Sequence, residues 1–378
     1  VTIRQRLNKQ SICILMLILL MMIVTACKSD SENVEQGIND LEADSEQLNP
    51  SEEEEGPFIP EGKVQSPFNG KWIPKEAANK RPIALQINNS LAAYPQSGIA
   101  QADILYETLA EGNITRLMAV FHVYDSEKIG PIRSARHYFL DMAANHDAVY
   151  MHYGGSPQAY SYIQQTKAPN LDGLSWLDGI VCWRDPERRA IPRMLEHSVY
   201  TNQKHLEDGW ERRELRKELK ENFSSGLEFV KEGEEIIPWG QRADYVTVPF
   251  SASYTSSFDF DAETKKYVKY QSGNYHLDEE INEPLMFTNL ILQRTKIHLI
   301  PGDTEGRREV AVIGSGTGYF ISSGRAVAIE WQKSNHGTAT EYIEKKSGKP
   351  IQLNPGKTYI GILPQNLEVS FQKKAINQ

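Results

Sequence analysis

The sequence predicts an α+β fold, an N-terminal α/β layer domain with a mixed sheet followed by a β-rich C-terminal domain. Three observations carry that expectation. Between residues 82 and 165, strand-like segments alternate with helix-like ones in the order βαββαβα. From residue 245 onward nearly every patterned segment is a strand signal, and Gly or Pro turns separate them. Between these regions residues 204–222 are dense in charge, and Gly226, Gly233, Pro238 and Gly240 then punctuate the chain, which puts a seam near residue 225.

Two segments of other character stand ahead of the domains. Arg4, Arg6 and Lys9 precede an apolar run from Ile12 to Val24, interrupted only by the neutral Cys13. That length suits the core of a signal peptide and falls short of the about 20 residues that span a bilayer. Val24-Thr25-Ala26-Cys27 follows, a small-residue cleavage site ending in cysteine that resembles the lipobox of bacterial lipoproteins. The expectation is that residues 1–27 are a lipoprotein signal peptide and that Cys27 is acylated. The mature chain would then be held by lipid on the extracytoplasmic face of the cell membrane. Residues 28–62 read as an acidic tether, because eleven acids stand against one base from Lys28 to Pro60 and few apolar groups could order them. Without both segments the formal charge of −9 falls close to neutral, so charge gives no indication of nucleic acid as a partner.

The N-terminal domain, residues 63–225, opens with a strand at Pro82 to Ile87, a short helix at Ser97 to Ala102 and a strand at Asp103 to Leu109. A turn at Glu111-Gly112-Asn113 leads into a strand at Ile114 to Tyr124. Helix is expected at Arg133 to Asn145, strand at Ala148 to His152 and helix at Pro157 to Gln165. Leu206, Trp210, Leu215 and Leu219 form one stripe of a connecting or packing helix over Lys204 to Asn222. The C-terminal domain, residues 226–378, has strand signals at Tyr245 to Pro249, Tyr254 to Asp259, Tyr267 to Tyr270 and Leu290 to Leu299. More follow at Arg308 to Ile313, Gly318 to Ile321, Arg325 to Trp331 and Tyr359 to Leu363, as in a small sandwich or twisted sheet.

Candidate chemistry lies mainly in the first domain. Gly130-Pro131-Ile132-Arg133-Ser134-Ala135-Arg136 puts a turn before a helix, with Arg133 and Arg136 on one face of its first turn. Cations there oppose the helix dipole. They require a bound anion, which free backbone N–H groups would also attract, or the internal carboxylates Glu107 or Glu111. Arg116, Arg133, Ser134 and Arg136 are thus one candidate ligand-binding group, and Arg184 could join it. His152, Gly154, Gly155 and Ser156 are the second: Gly154-Gly155-Ser156-Pro157 joins a clean helix start to glycines that admit a ligand near the backbone, although a plain tight turn has the same signature.

Glu107 and Glu111 are candidate general acid and base, or salt-bridge partners. Cys182 reads as a small hydrophobe in a short apolar strand. The histidines at 122, 137, 146, 152, 197 and 205 lack zinc-binding spacing, and Gly314-Ser315-Gly316-Thr317-Gly318 lacks the lysine of a phosphate loop and reads as a hairpin or bulge. No metal or cofactor is expected.

Several motifs in order resemble the YerB-type lipoproteins. They are Arg81-Pro82-Ile83-Ala84, Pro95-Gln96-Ser97-Gly98, Ala102 to Glu107, Glu111 to Arg116 and Gly130 to Arg136, then Gly314-Ser315-Gly316, Gly324-Arg325, Trp331-Gln332-Lys333 and Pro355-Gly356-Lys357-Thr358. The resemblance implies a two-domain lipoprotein of a family without an assigned biochemical function. Asn113 replaces a usual Gly, and Glu196-His197-Ser198 stands where the family has Pro-His-Asn, so no role for His197 is carried over.

Two readings of function follow. The first is a binding module that captures an anionic envelope ligand or a partner protein through Arg116, Arg133 and Arg136. The second is a cell-envelope hydrolase with Glu107 or Glu111 as acid or base and Arg133 as electrostatic stabiliser. The first is preferred, because no nucleophile, metal set or triad can be assembled from the residues.

Overall fold

The computed structural model describes residues 59–374, so Cys27, the signal segment and nearly all of the tether lie outside the described residues. In the N-terminal half β1 (Ile83–Asn88), β2 (Ile104–Glu111) and β3 (Ile114–Phe121) precede α1 (His137–Ala144), β4 (Val149–His152), α2 (Pro157–Thr166), β5 (Asn170–Asp172) and α3 (Gln203–Arg212). The C-terminal half supplies β6 (Tyr245–Ser251), β7 (Tyr254–Asp261), β8 (Lys266–Gln271), β9 (Asn289–Thr295), β10 (Gly314–Ser322), β11 (Arg325–Lys333), β12 (Thr358–Pro364) and β13 (Ser370–Gln372). The expected order is present, its first helix reduced to the single 3-10 turn Ile99–Gln101.

One sheet of 11 strands runs through both halves, with β11, β10, β9, β12, β2, β3, β1, β4 and β5 in sequence across it. It is mixed: β9 with β12, β12 with β2, β1 with β4 and β4 with β5 are parallel, and the hairpins are antiparallel. The sheet crosses the boundary expected near residue 225, because β12 pairs with β2 from Thr358↔Ile104 to Gly361↔Glu107. A second sheet of 6 strands contains β8, β7, β6 and β13.

Alternation sorts the large sheet into two cores. On one face Leu85, Leu105, Leu109, Leu117, Leu290 and Tyr359 meet Val246, Val248 and Phe258 of the second sheet and Leu206 of α3. On the other, Ala84, Tyr106, Met118, Tyr150, Ile291 and Ile360 meet Tyr138, Phe139 and Met142 of α1. The Gly314 to Gly318 run, expected as a hairpin or bulge, is instead the regular start of β10, and close approach explains its last glycine, since a Cβ on Gly318 would overlap the Leu292 carbonyl of β9.

Three other local expectations need correction. The first helix of the Arg motif begins at His137, and Arg136 is an extended cap residue at φ −127° and ψ 143°. Tertiary pairing holds this stretch open: Arg133 N–H donates to Gln86 O at 2.7 Å and Ala135 N–H to Gly154 O at 2.8 Å. Arg133 and Arg136 therefore do not share a helical turn. The charged helix stops at Arg212, where Trp210 Nε1 turns back to the Leu215 carbonyl at 3.0 Å. Cys182 is buried just before the two-residue strand Trp183–Arg184, and burial pushes its thiol up to about 12, the behaviour of a packed hydrophobe.

Candidate functional site

Glu107 and Glu111 leave β2 on opposite faces. A regular strand would put both on one side, but a bulge between Leu109 and Glu111 reverses the second. They make no acid and base pair. Glu107 is fully buried between the two sheets. Its Oε1 accepts from Thr115 Oγ1 at 2.8 Å and Asn89 Nδ2 at 3.1 Å. Its Oε2 accepts from Ser256 Oγ and Tyr359 OH, both at 2.9 Å, and pairs with Lys269 Nζ at 3.2 Å.

Lys269 is as deeply buried, and burial lowers its pKa while Glu107 works against that shift. Its ammonium has only donors, so His276 Nδ1 at 3.0 Å must accept. The ring proton then sits on Nε2 and is donated to Gln96 Oε1 at 2.9 Å. Burial first, and Lys269 second, hold His276 neutral. This network is closed and joins the two halves.

On the opposite face Arg116 and Arg136, each 6% exposed, converge on a single oxygen, Glu111 Oε1. The Arg116 contact is 2.7 Å. Both guanidiniums also donate to the Ser134 carbonyl, and Arg136 to the Ala135 carbonyl at 2.6 Å. Burial lowers Arg116 to about 10, and the charge of Arg133 acts in the same direction. Arg136 Nε is buried without a partner among the described residues. Arg133 instead reaches Glu196 at 2.5 Å, an ion pair whose acid is 65% exposed. Arg184 stacks on Tyr153 and donates to the Leu195 carbonyl at 2.6 Å, so it joins the Glu196 loop rather than the Arg116 cluster.

The second candidate group packs inward. Gly154 donates to Asp172 Oδ1 at 2.9 Å and accepts from Ala135 N–H, and a Cβ there would meet Leu174 at 2.9 Å. His152, fully buried, donates from Nδ1 to Gly154 O at 2.8 Å, and burial lowers its pKa. A Cβ on Gly155 would lie within about 3.5 Å of Ala135 and Tyr160. Ser156 caps α2 by accepting from Ala159 N–H at 3.1 Å. Among the described residues no three His, Cys, Asp or Glu side chains are grouped as metal ligands would be.

A cleft of about 510 Å³ opens elsewhere, between the Asn69–Lys71 and Ile99–Ala102 loops and the segments before β9 and β12. Ile99, Leu285, Met286 and Phe287 supply its apolar wall, Lys71, Lys265, Lys266 and Lys357 its cations, and Glu234, Glu235 and Glu283 its acids; Lys71 is paired with Glu232 and Lys265 with Glu235. Lys357 Nζ donates to the Ala100 carbonyl and has no carboxylate within ion-pair distance among the described residues. Burial lowers its pKa, while the charges of Asp103 and Asp278 nearby act in the opposite direction. Beneath lies Asp103, which accepts from His122 N–H at 2.8 Å and from Asn69 Nδ2, and which burial raises to about 6.

Residues 68–216 match the N-terminal domain, and residues 246–360 the C-terminal domain, of the family described as "Protein of unknown function (DUF3048)". The chain belongs to this family. It is 28% identical over 312 residues to "Putative lipoprotein YerB" of Bacillus subtilis (strain 168), across 82% of this chain and 89% of that protein. The crystal structure of YerB protein from Bacillus subtilis superposes with a TM-score of 0.71 at 27% identity, over 82% of this chain and 100% of that one.

In this DUF3048 chain the cleft is what reading by motif chemistry missed. Pro355-Gly356-Lys357-Thr358 was visible as a motif, and its glycine is required because a Cβ would overlap Thr288 Oγ1. Nothing in the local sequence pairs Lys357 with a loop more than two hundred residues earlier.

Proposed function

We propose that this chain is a lipid-anchored, extracytoplasmic binding protein that holds an anionic ligand in the cleft between its halves. The observation that carries the reading is Lys357, a half-buried ammonium in a cleft of about 510 Å³ with no carboxylate paired to it among the described residues. Small-molecule sites of roughly 300–1,000 Å³ with a few convergent polar groups favour such domain junctions. The anchor rests on Cys27 and its flanking residues and on the likeness to the putative lipoprotein of Bacillus subtilis. A hydrolase working through Glu107 and Glu111 gains no support, because the two carboxylates lie on opposite faces and the first is sealed.

Thermal shifts in a sulfate, phosphate and citrate series test the cleft. A ligand at 100 times its Kd stabilises by about 2.7 kcal/mol, and Lys357→Gln should lose most of that gain. An equal gain in both proteins would remove the cleft from consideration. One observation favours a second reading: two guanidiniums share Glu111 Oε1, leaving positive charge in surplus beside Arg133. If that rim takes the anion, the gain should survive Lys357→Gln and vanish in Arg133→Gln/Arg136→Gln. For the anchor, Cys27→Ala should release the protein from the membrane fraction or leave an unprocessed precursor; unchanged detergent partitioning would refute it.

A further inference from the structure

Trp239 is the most exposed large apolar side chain among the described residues, at 87%, and Ile237 two positions away is 62% exposed. The loop that presents them is pinned on both sides. Ile236 N–H donates to Asn354 Oδ1, and Asn354 Nδ2 donates to Ile236 O, both at 2.7 Å. Pro238 is buried between the two exposed residues. A Cβ on Gly240 would overlap the Ala326 carbonyl, and Gly240 O accepts from Arg325 at 3.2 Å. The backbone is therefore fixed with Ile237 and Trp239 pointing outward.

Facing them is the turn after the Glu341–Glu344 strand, where Lys345, Lys346 and Lys349 are exposed and residues 345–349 include no acid. Lys346 Nζ lies 4.5 Å from the centre of the Trp239 ring. A shallow groove joins the loop and the turn, lined by Trp239, Val327 and Ile351, by Lys346 and Lys349, and by Glu228 and Glu344.

We propose that this face rests on the surface of an anionic lipid bilayer, an inference that builds on the lipid-anchor reading above. Tryptophan is favoured at the level of the headgroups, where one part of its ring is apolar and the N–H is wet. Ile237 would enter the acyl boundary, and the three lysines would meet the negative headgroups. Two large apolar side chains around a buried proline are too few for the core of a stable protein interface, but they suffice for shallow insertion. A tethered chain also needs little intrinsic affinity, because the anchor already supplies a high effective concentration of membrane. The face would set the orientation in which the domain lies on the bilayer.

Co-sedimentation of the unlipidated chain from residue 28 with vesicles of phosphatidylglycerol and phosphatidylcholine tests this. Binding to the anionic vesicles should exceed that to pure phosphatidylcholine at least tenfold at low salt and weaken as salt rises. Trp239→Ala should lower it about tenfold. Replacing Lys345, Lys346 and Lys349 together by Gln should abolish the preference for anionic lipid. Neither change should move the melting temperature, since all four side chains are exposed. A blue shift of tryptophan emission on binding should disappear in Trp239→Phe. Absence of vesicle binding, binding unaffected by Trp239→Ala, or loss in that variant of a protein partner without any vesicle binding would each overturn the proposal. None of these results bears on Cys27, whose fractionation test stands separately.

Discussion

Two buried charge clusters occupy opposite faces of the same strand, and they are built differently. Around Glu107 five donors divide between two carboxylate oxygens, and the compensating ammonium of Lys269 is fully buried. Around Glu111 two guanidiniums crowd onto one oxygen, and the carboxylate side chain keeps 28% of its exposure. The first arrangement is closed to ligands and welds the halves together. The second keeps a partly open edge with positive charge to spare. The contrast teaches that a motif rich in Glu and Arg can hold both a structural lock and a prospective contact, divided by one bulge.

The largest effect should come from Lys269→Met. Removing one partner of a buried pair strands the other, so a loss of about 3–5 kcal/mol in urea unfolding is expected. Adding Glu107→Leu should restore part of it, because both charges are then gone; a double mutant as unstable as the sum of the singles would refute the lock.

Asp103 sharpens the comparison as a buried carboxylate with fewer donors. Its folded pKa is raised to about 6 from 3.8, so between those values the folded chain holds a proton that the unfolded chain has lost. Stability from this group is therefore full below pH 3.8 and falls as pH rises to 6, by about 2–3 kcal/mol. Wild type should lose that much relative to Asp103→Asn when urea midpoints are compared from pH 4 to 7. A pH-independent difference would show that Asp103 keeps its charge.

Smaller effects belong to the arginine face. Arg136→Gln should cost about 1–2 kcal/mol by thermal unfolding, because Arg116 remains to hold Glu111. A cost matching that of Lys269→Met would erase the distinction between the clusters. Arg133→Gln should cost less than about 1 kcal/mol, as usual for a pair whose acid is open to solvent. A larger loss would place Arg133 in the structural network.

The strands were legible because they are short apolar runs bounded by turn residues, as central strands buried on both faces are: β1, β2 and β3 begin within a residue or so of where the runs start. Failures arose where tertiary hydrogen bonds overrode local preference. Arg133 and Ala135 have side chains and neighbours compatible with helix, but Gln86 O and Gly154 O claim their N–H groups. The sharing of the site residues between two faces was hidden for a similar reason, since the bulge before Glu111 depends on packing rather than on spacing. Ser156 was readable as a cap because that interaction is local. Lys269, His276 and Gln96 were not, for they meet only after the second sheet docks.

The position of β12 bears on how the chain matures. β12 lies between β9 and β2, and Thr108 Oγ1 of β2 bonds to the carbonyl of Ile362, 254 positions away in the chain. A polypeptide that emerges N-terminus first would expose the unpaired edge of β2 until this segment follows. Such non-local pairing delays compaction, which leaves the leading half vulnerable to proteases if synthesis stops early. Clipping before residue 358 would open two strand edges together, so an incomplete copy is set up for degradation or aggregation instead of persisting as a stable fragment.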